Sequence, residues 1–88
     1  MSDTAPDTTL KADGFEDAFI GVITRCGQLP IYCYDYEKAV KILMKRDGMK
    51  RGDAIEFMEF NVVGSWVGQG TPAFLNKCSL EEAEEWHV

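Results

Sequence analysis

The sequence has few of the residues on which catalytic and metal sites depend. Its 88 residues include one histidine, His87, next to the C-terminal residue. It has three cysteines without CxxC spacing: Cys26, Cys33 and Cys78. This pattern indicates neither a disulfide framework nor a zinc site, and we expect reduced thiols in a cytoplasmic setting. Because nucleophilic catalysis needs a base beside the nucleophile, we expect a non-enzymatic protein with no catalytic residues, cofactor or metal.

Long apolar runs are also missing. None approaches the roughly 18–20 residues that cross a bilayer, and the polar, acidic N-terminus differs from a signal peptide. We therefore expect no membrane association. Residues 1–12 are predicted to form a disordered acidic tail. Residues 13–88 are predicted to form a single small globular domain, since a chain of this length supports one core.

Basic residues are scarce except in one stretch. The net charge is −6, yet residues 38–51 carry six basic side chains and one acidic side chain, between two acidic flanks. The basic residues, which we call the basic belt, are Lys38, Lys41, Lys45, Arg46, Lys50 and Arg51. An acidic chain is repelled by nucleic acid, so binding to nucleic acid would depend on this belt alone.

The first structured segment is predicted to be a helix from Asp13 to Cys26. Asp13 and Glu16 have the spacing of a capping box. Apolar residues then recur at helical spacing, which places Cys26 on the buried face. Gly27 and Pro30 end the predicted helix.

A strand and a second helix follow. The residues from Leu29 to Tyr34 are rich in aromatic and β-branched types, which favours a strand. Asp35 can cap a helix over Tyr36–Arg46, and Gly48 ends it.

The stretch with the most large apolar residues is predicted to be the central helix, Asp53–Val67. Its apolar arc comprises Ala54, Ile55, Phe57, Met58, Phe60 and Val62. Asn61 falls within this arc, so we expect an inward-facing amide that either holds a nearby turn or contacts a ligand.

A brief strand, Ala73–Leu75, and a marginal C-terminal helix, Leu80–Trp86, complete the chain. Ser79 and Glu82 have capping-box spacing before this helix. We predict an α+β fold of three main helices packed on a short two-stranded sheet, in the order α-β-α-α-β with a short C-terminal helix.

Candidate binding residues lie outside the belt as well. Tyr34, Tyr36 and Trp66 are of the type favoured in protein interfaces, and Asn61 is a candidate polar contact. One hypothesis is a small enzyme or ligand-binding domain that uses a pocket formed by Arg25, Gln28, Tyr34 and Asn61.

Two phrases resemble a family of short proteins of tailed bacteriophages. They are GFEDAFIGVITRCGQLPIYCYDYEKAVKILMKRDGM and AIEFMEFNVVGSWVGQGTPAFL. The shared elements include the Arg25–Gln28 segment, the Tyr34–Tyr36 junction, and the segment from Glu59 to Pro72. The resemblance covers about residues 14–75. It implies a phage-encoded accessory protein in the cytoplasm of the infected bacterium.

Beside the pocket hypothesis, two classes of function remain open from the sequence. The first is binding, with or without inhibition, of a host or phage protein, in which a homodimer is also plausible because the core is small. The alternative is nucleic-acid binding through the basic belt, or mild nucleic-acid mimicry through the acidic flanks. The acidic candidates are Asp13, Glu16, Asp17, Glu56, Glu59, Glu81, Glu82, Glu84 and Glu85.

Overall fold

A computed structural model describes residues 9–86 as a mixed sheet with helices connecting and following its strands. The elements are a 3₁₀ turn (Glu16–Ala18), β1 (Phe19–Ile23), β2 (Ile31–Asp35), α1 (Tyr36–Arg46), α2 (Arg51–Phe57), a π-helical segment (Met58–Val63), β3 (Ala73–Leu75) and α3 (Leu80–Glu84). The fold class is α+β, as predicted.

The predicted first helix is wrong, because this part of the chain forms a strand. β1 pairs antiparallel with β2, and the connecting turn is closed by a 3.0 Å hydrogen bond from the Gln28 N–H to the Arg25 carbonyl. Gly27 lies in this turn with a φ of 72°. Aromatic and β-branched residues favour a strand here, and Gly21 disfavours a helix. Cys26, expected in the core, is exposed.

The predicted N-terminal capping box is also absent. Asp13 does not cap the 3₁₀ turn, which has no side-chain cap. Instead the Gly14 N–H donates to the Glu16 carboxylate at 3.2 Å. The segment before β1 is therefore a tight turn, and its residues Phe15 and Ala18 are buried in the core.

Within residues 9–86 the sheet has three strands, in the order β1-β2-β3, rather than the two predicted. The two predicted strands do pair with each other, since β2 and β3 run parallel with Cys33 opposite Ala73 and Tyr34 opposite Phe74. Parallel neighbours need a long crossover connection. The segment containing α1 and α2 supplies it.

Helix α1 has the predicted bounds and the predicted cap. The Asp35 carboxylate accepts a 3.0 Å hydrogen bond from the Lys38 N–H, and the pKa of Asp35 is lowered chiefly by this bond. Lys77 lies 3.1 Å from the other oxygen of the same carboxylate. Gly48 follows the helix with a φ of 68°, which suits its C-terminal position.

The core is an aromatic and aliphatic cluster between the helices and the sheet. Its buried members are Phe15, Ala18, Tyr34, Ala39, Val40, Leu43, Ala54 and Met58. Tyr34 stacks on Phe74 with ring centroids 5.5 Å apart. The Tyr34 hydroxyl accepts a 2.9 Å hydrogen bond from the Ala12 N–H, which satisfies its buried oxygen.

The third predicted helix begins at Arg51 and changes to π-helix at Met58. Ala54 and Met58 are fully buried, but Asn61 is exposed, so the prediction of an inward amide is wrong. In a π-helix each residue turns through less than the roughly 100° of an α-helix. An assignment of buried and exposed faces that assumes 100° per residue is therefore wrong beyond Met58.

The two ends of the chain were predicted to be a disordered tail, residues 1–12, and a short C-terminal helix. Residues 1–8 of the predicted tail, and His87, lie outside the described residues. Thr9 and Leu10 hydrogen-bond to the carbonyls of Pro30 and Gly70, at 2.7 and 3.1 Å. At the other end, α3 is shorter than predicted, ending at Glu84, and its predicted capping box is confirmed.

Candidate functional site

A stretch of exposed apolar residues follows the buried part of α2. Between residues 60 and 67, Phe60 is 75% exposed, Val63 44%, Trp66 72% and Val67 57%. We call this stretch the apolar segment. Large aromatic side chains are enriched in protein interfaces and among their hot spots, which makes this stretch a candidate contact surface. Trp66 was predicted as an interface residue, whereas Phe60 was placed in the core and that placement is wrong.

The backbone fixes the apolar segment in place. A Cβ atom on Gly64 would lie 2.5 Å from the Glu59 carbonyl oxygen, so only glycine fits this turn without a shift. The Ser65 hydroxyl donates to the Asn61 carbonyl at 3.1 Å. Further on, the Thr71 hydroxyl accepts from the Val67 N–H at 2.9 Å and donates to the Gly68 carbonyl. The exposed side chains therefore project from a hydrogen-bonded backbone.

A shallow, open groove of about 560 Å³ lies beside Phe60. Its lining residues are Met49, Asp53, Glu56, Phe57, Phe60 and Asn61. Apolar side chains and two carboxylates thus share one groove, and Asn61 adds an exposed amide. This arrangement suits an amphipathic partner with basic groups beside its apolar residues.

The π-helical segment is joined to α1 by a polar contact. The Tyr36 hydroxyl donates a 2.7 Å hydrogen bond to the Glu59 carboxylate. Burial, followed by this bond to a carboxylate, raises the pKa of Tyr36 to about 12. Tyr36 is therefore a half-buried positioning residue for the segment that carries Phe60, and its ring is not a freely exposed contact.

The basic belt is divided by the fold. The Arg51 guanidinium binds both oxygens of Glu37, at 2.6 and 2.9 Å. The Arg46 guanidinium donates to the Gly14 carbonyl at 2.8 Å and pairs with Asp47. Both arginines are thus engaged within the chain. The remaining members are exposed lysines: Lys38, Lys41, Lys45 and Lys50.

The ligand pocket proposed from four side chains is not assembled. Gln28, Tyr34 and Asn61 line different cavities, and Tyr34 is buried. Arg25 lies in the exposed turn between β1 and β2. The acidic candidates for nucleic-acid mimicry are all exposed, but they are spread over three regions: the 3₁₀ turn and the residues before it, α2 with the π-helical segment, and α3 with the residue after it.

Residues 9–86 offer neither a metal site nor a helix that could span a membrane. No group of three or more His, Cys, Asp or Glu side chains in this part of the chain could hold a metal ion. In the same range, none of the helices combines the length and the apolar character that a bilayer crossing requires.

Comparison with known proteins gives no further guide to the site. No protein-family model, no curated protein and no solved structure matches the chain. The functional conclusion therefore rests on the residues of the molecule itself.

Proposed function

We propose that the chain is a phage-encoded, non-enzymatic accessory protein that binds a host or phage protein in the cytoplasm of the infected bacterium. The observation that carries the binding role is the apolar segment, where Phe60 and Trp66 are mostly exposed on a fixed backbone. The phage origin rests on the sequence resemblance over residues 14–75. Inhibition of the bound protein is one form that this activity would take.

The residues that line the groove beside Phe60 indicate which chemical groups the partner should present. Asp53 and Glu56 line it together with Met49 and Phe57. Burial of an aromatic anchor supplies most of the affinity in such interfaces, while charges at the rim supply orientation and association rate. The partner should therefore present an apolar pocket or ridge flanked by lysine or arginine.

A matched pair of variants tests this proposal. Phe60→Ala removes a side chain that is 75% exposed in the apolar segment, and Leu80→Ala removes one that is 76% exposed on α3. Affinity purification from infected cells should return a partner with the wild type and with Leu80→Ala. Truncation of an aromatic hot spot weakens binding by roughly 30-fold or more, so Phe60→Ala should lose this partner.

The outcome of the same experiment can also reject the proposal. If wild type and Phe60→Ala recovered every partner equally, the apolar segment would not be part of the interface. Repeated failure to recover any partner at low salt would count against protein binding itself. Both variants alter exposed side chains, so a circular dichroism spectrum like that of the wild type would exclude unfolding as the cause.

A second candidate function, nucleic-acid binding, is favoured by one observation. Lys38, Lys41 and Lys45 lie along α1 and are all exposed. The engagement of Arg46 and Arg51 within the chain reduces the belt that the sequence suggested. If the lysines contact phosphates, affinity should fall steeply with salt. Lys41→Glu with Lys45→Glu should then abolish binding, and unchanged binding would reject this function.

A further inference from the structure

Strand β1 forms one edge of the sheet, and among residues 9–86 it pairs with β2 alone. Phe19, Ile20 and Val22 are exposed along it. An edge strand presents backbone N–H and C=O groups that can pair with another strand. The sequence of β1, FIGVI, has neither the charged residue nor the proline that commonly blocks such pairing.

A bulge in β1 affects the same edge. The register shifts between Phe19 and Gly21, so Ile20 is the extra residue and has no counterpart in β2. The extra residue of a bulge is left unpaired in its own sheet. A bulge can turn an edge away from a partner, but this one lies near the start of β1 and leaves Gly21–Ile23 in regular pairing.

We propose that β1 pairs antiparallel with β1 of a second copy of the chain, about a two-fold axis at Gly21. The antiparallel direction places the start of β1 in each copy beside the end of β1 in the other. The two three-stranded sheets then form one six-stranded sheet. The same surface serves both copies, which gives a closed dimer rather than an open chain of molecules.

The charges at the two ends of β1 select this partner and this direction. Asp17 and Arg25 are the first charged residues on either side of the strand, and each lies four positions from Gly21. Antiparallel pairing brings the end of β1 that follows Asp17 in each copy beside the end that precedes Arg25 in the other. Parallel pairing would place like charges side by side, which is unfavourable.

Both charged residues are available for this contact. Asp17 and Arg25 are exposed. Within residues 9–86 neither has a salt-bridge partner inside 4.0 Å. The chain as a whole has a net charge of −6 and repels its copies. The local complementarity at β1 therefore gives one surface on which two copies attract each other.

Exchange of the two charges tests the proposal on the full chain by sedimentation equilibrium. The wild type should dimerise in a concentration-dependent manner. Asp17→Arg and Arg25→Asp each place like charges at both ends of the pairing, and each should weaken the dimer by about tenfold. The double exchange, Asp17→Arg with Arg25→Asp, should restore it. An equimolar mixture of the two single variants should form a heterodimer.

Failure would be distinct from failure of the proposed function. A wild type that remains a monomer up to about 1 mM would overturn the dimer. Single variants that dimerise like the wild type, or a double exchange that does not restore association, would overturn the β1 register. Phe60→Ala should leave the dimer unchanged while losing the partner protein, so the two surfaces are tested separately.

Discussion

The hydroxyl of Tyr36 donates a 2.7 Å hydrogen bond to the carboxylate of Glu59. Tyr36 is the first residue of α1, and Glu59 is the second residue of the π-helical segment. The contact therefore holds the backbone that carries Phe60 to the beginning of the best-packed helix. It links a buried element to the exposed surface proposed for partner binding.

Removal of this hydroxyl should loosen the π-helical segment. Tyr36→Phe keeps the ring and deletes only the donor, so it should lower the free energy of unfolding by about 0.5–1.5 kcal/mol. Partner affinity should fall with it, because Phe60 follows Glu59 directly. Urea denaturation and a binding titration measure the two effects. Glu59→Gln retains an acceptor and should be the milder change, and a stronger effect of Glu59→Gln would contradict the assignment.

The same contact predicts a pH dependence at the alkaline end. The pKa of Tyr36 is raised to about 12 in the folded chain, whereas an unperturbed tyrosine has a pKa of about 10. Between these values the unfolded chain loses the proton and the folded chain keeps it. The stabilisation is therefore complete below about pH 10 and is lost as the pH rises toward 12. Tyr36→Phe should show a shallower decline in stability over this window.

Asp35 predicts the opposite dependence at acid pH. Its pKa is lowered first by the Lys38 N–H and further by Lys77, so the carboxylate stabilises the fold above its unfolded pKa of about 3.9. This contribution is lost as the pH falls through the folded pKa. Asp35→Asn keeps the helix cap, since Asn caps as well as Asp. The variant should be less stable than wild type at pH 7 and equal to it once Asp35 is protonated.

A second substitution separates the cap from the charge. Asp35→Ala removes both, and loss of an N-cap costs about 1 kcal/mol beyond the effect of Asp35→Asn. Urea denaturation of the three proteins at neutral and acid pH gives the comparison. If Asp35→Asn and Asp35→Ala were equally stable at pH 7, the hydrogen bond to the Lys38 N–H would not contribute to the helix.

The sequence was sufficient to predict an element where its local signals agreed with the packing. Helix α1 has the predicted bounds because Asp35 caps it, Gly48 follows it, and its apolar residues fit one face. The run from Phe19 to Ile23 is ambiguous, because a short apolar segment satisfies both helical and strand spacing. The β-branched residues there, and the turn at Gly27 before a second strand, were the signals that favoured a hairpin.

The candidate site was harder to predict than the fold. Trp66 was identified from its type alone, whereas Phe60 and Asn61 were placed inward by a projection that assumes regular α-helical rotation. The change at Met58 alters that rotation. The residue types in the π-helical segment do not distinguish a π-helix from an α-helix. Gly64, whose missing side chain admits the Glu59 carbonyl, was the closest available signal.

Gly64 should therefore tolerate substitution poorly. In Gly64→Ala the new Cβ meets the Glu59 carbonyl oxygen at 2.5 Å, so the backbone of the apolar segment must shift. The expected cost is about 1–3 kcal/mol in unfolding free energy, as for other overpacked sites. Gly52→Ala is the matched control, because no atom lies within 4 Å of its Cβ in α2 and alanine favours a helix. A stable Gly64→Ala protein with unchanged partner binding would disprove the tight turn.

Arg46 should stabilise the fold rather than bind nucleic acid, because its guanidinium is engaged within the chain. Its guanidinium donates to the Gly14 carbonyl at 2.8 Å and lies 5.7 Å from the centroid of the Phe15 ring. Arg46→Met keeps the aliphatic stem but loses both contacts, so the chain should unfold at a lower urea concentration. Lys45→Met should leave the stability unchanged, and if the lysines of α1 contact nucleic acid it should weaken that binding more than Arg46→Met does. Lys45 is exposed on the same helix and serves as the charge-matched control. The opposite result would be an Arg46→Met protein that is as stable as Lys45→Met but binds a nucleic acid more weakly. It would show that Arg46 contacts the nucleic acid.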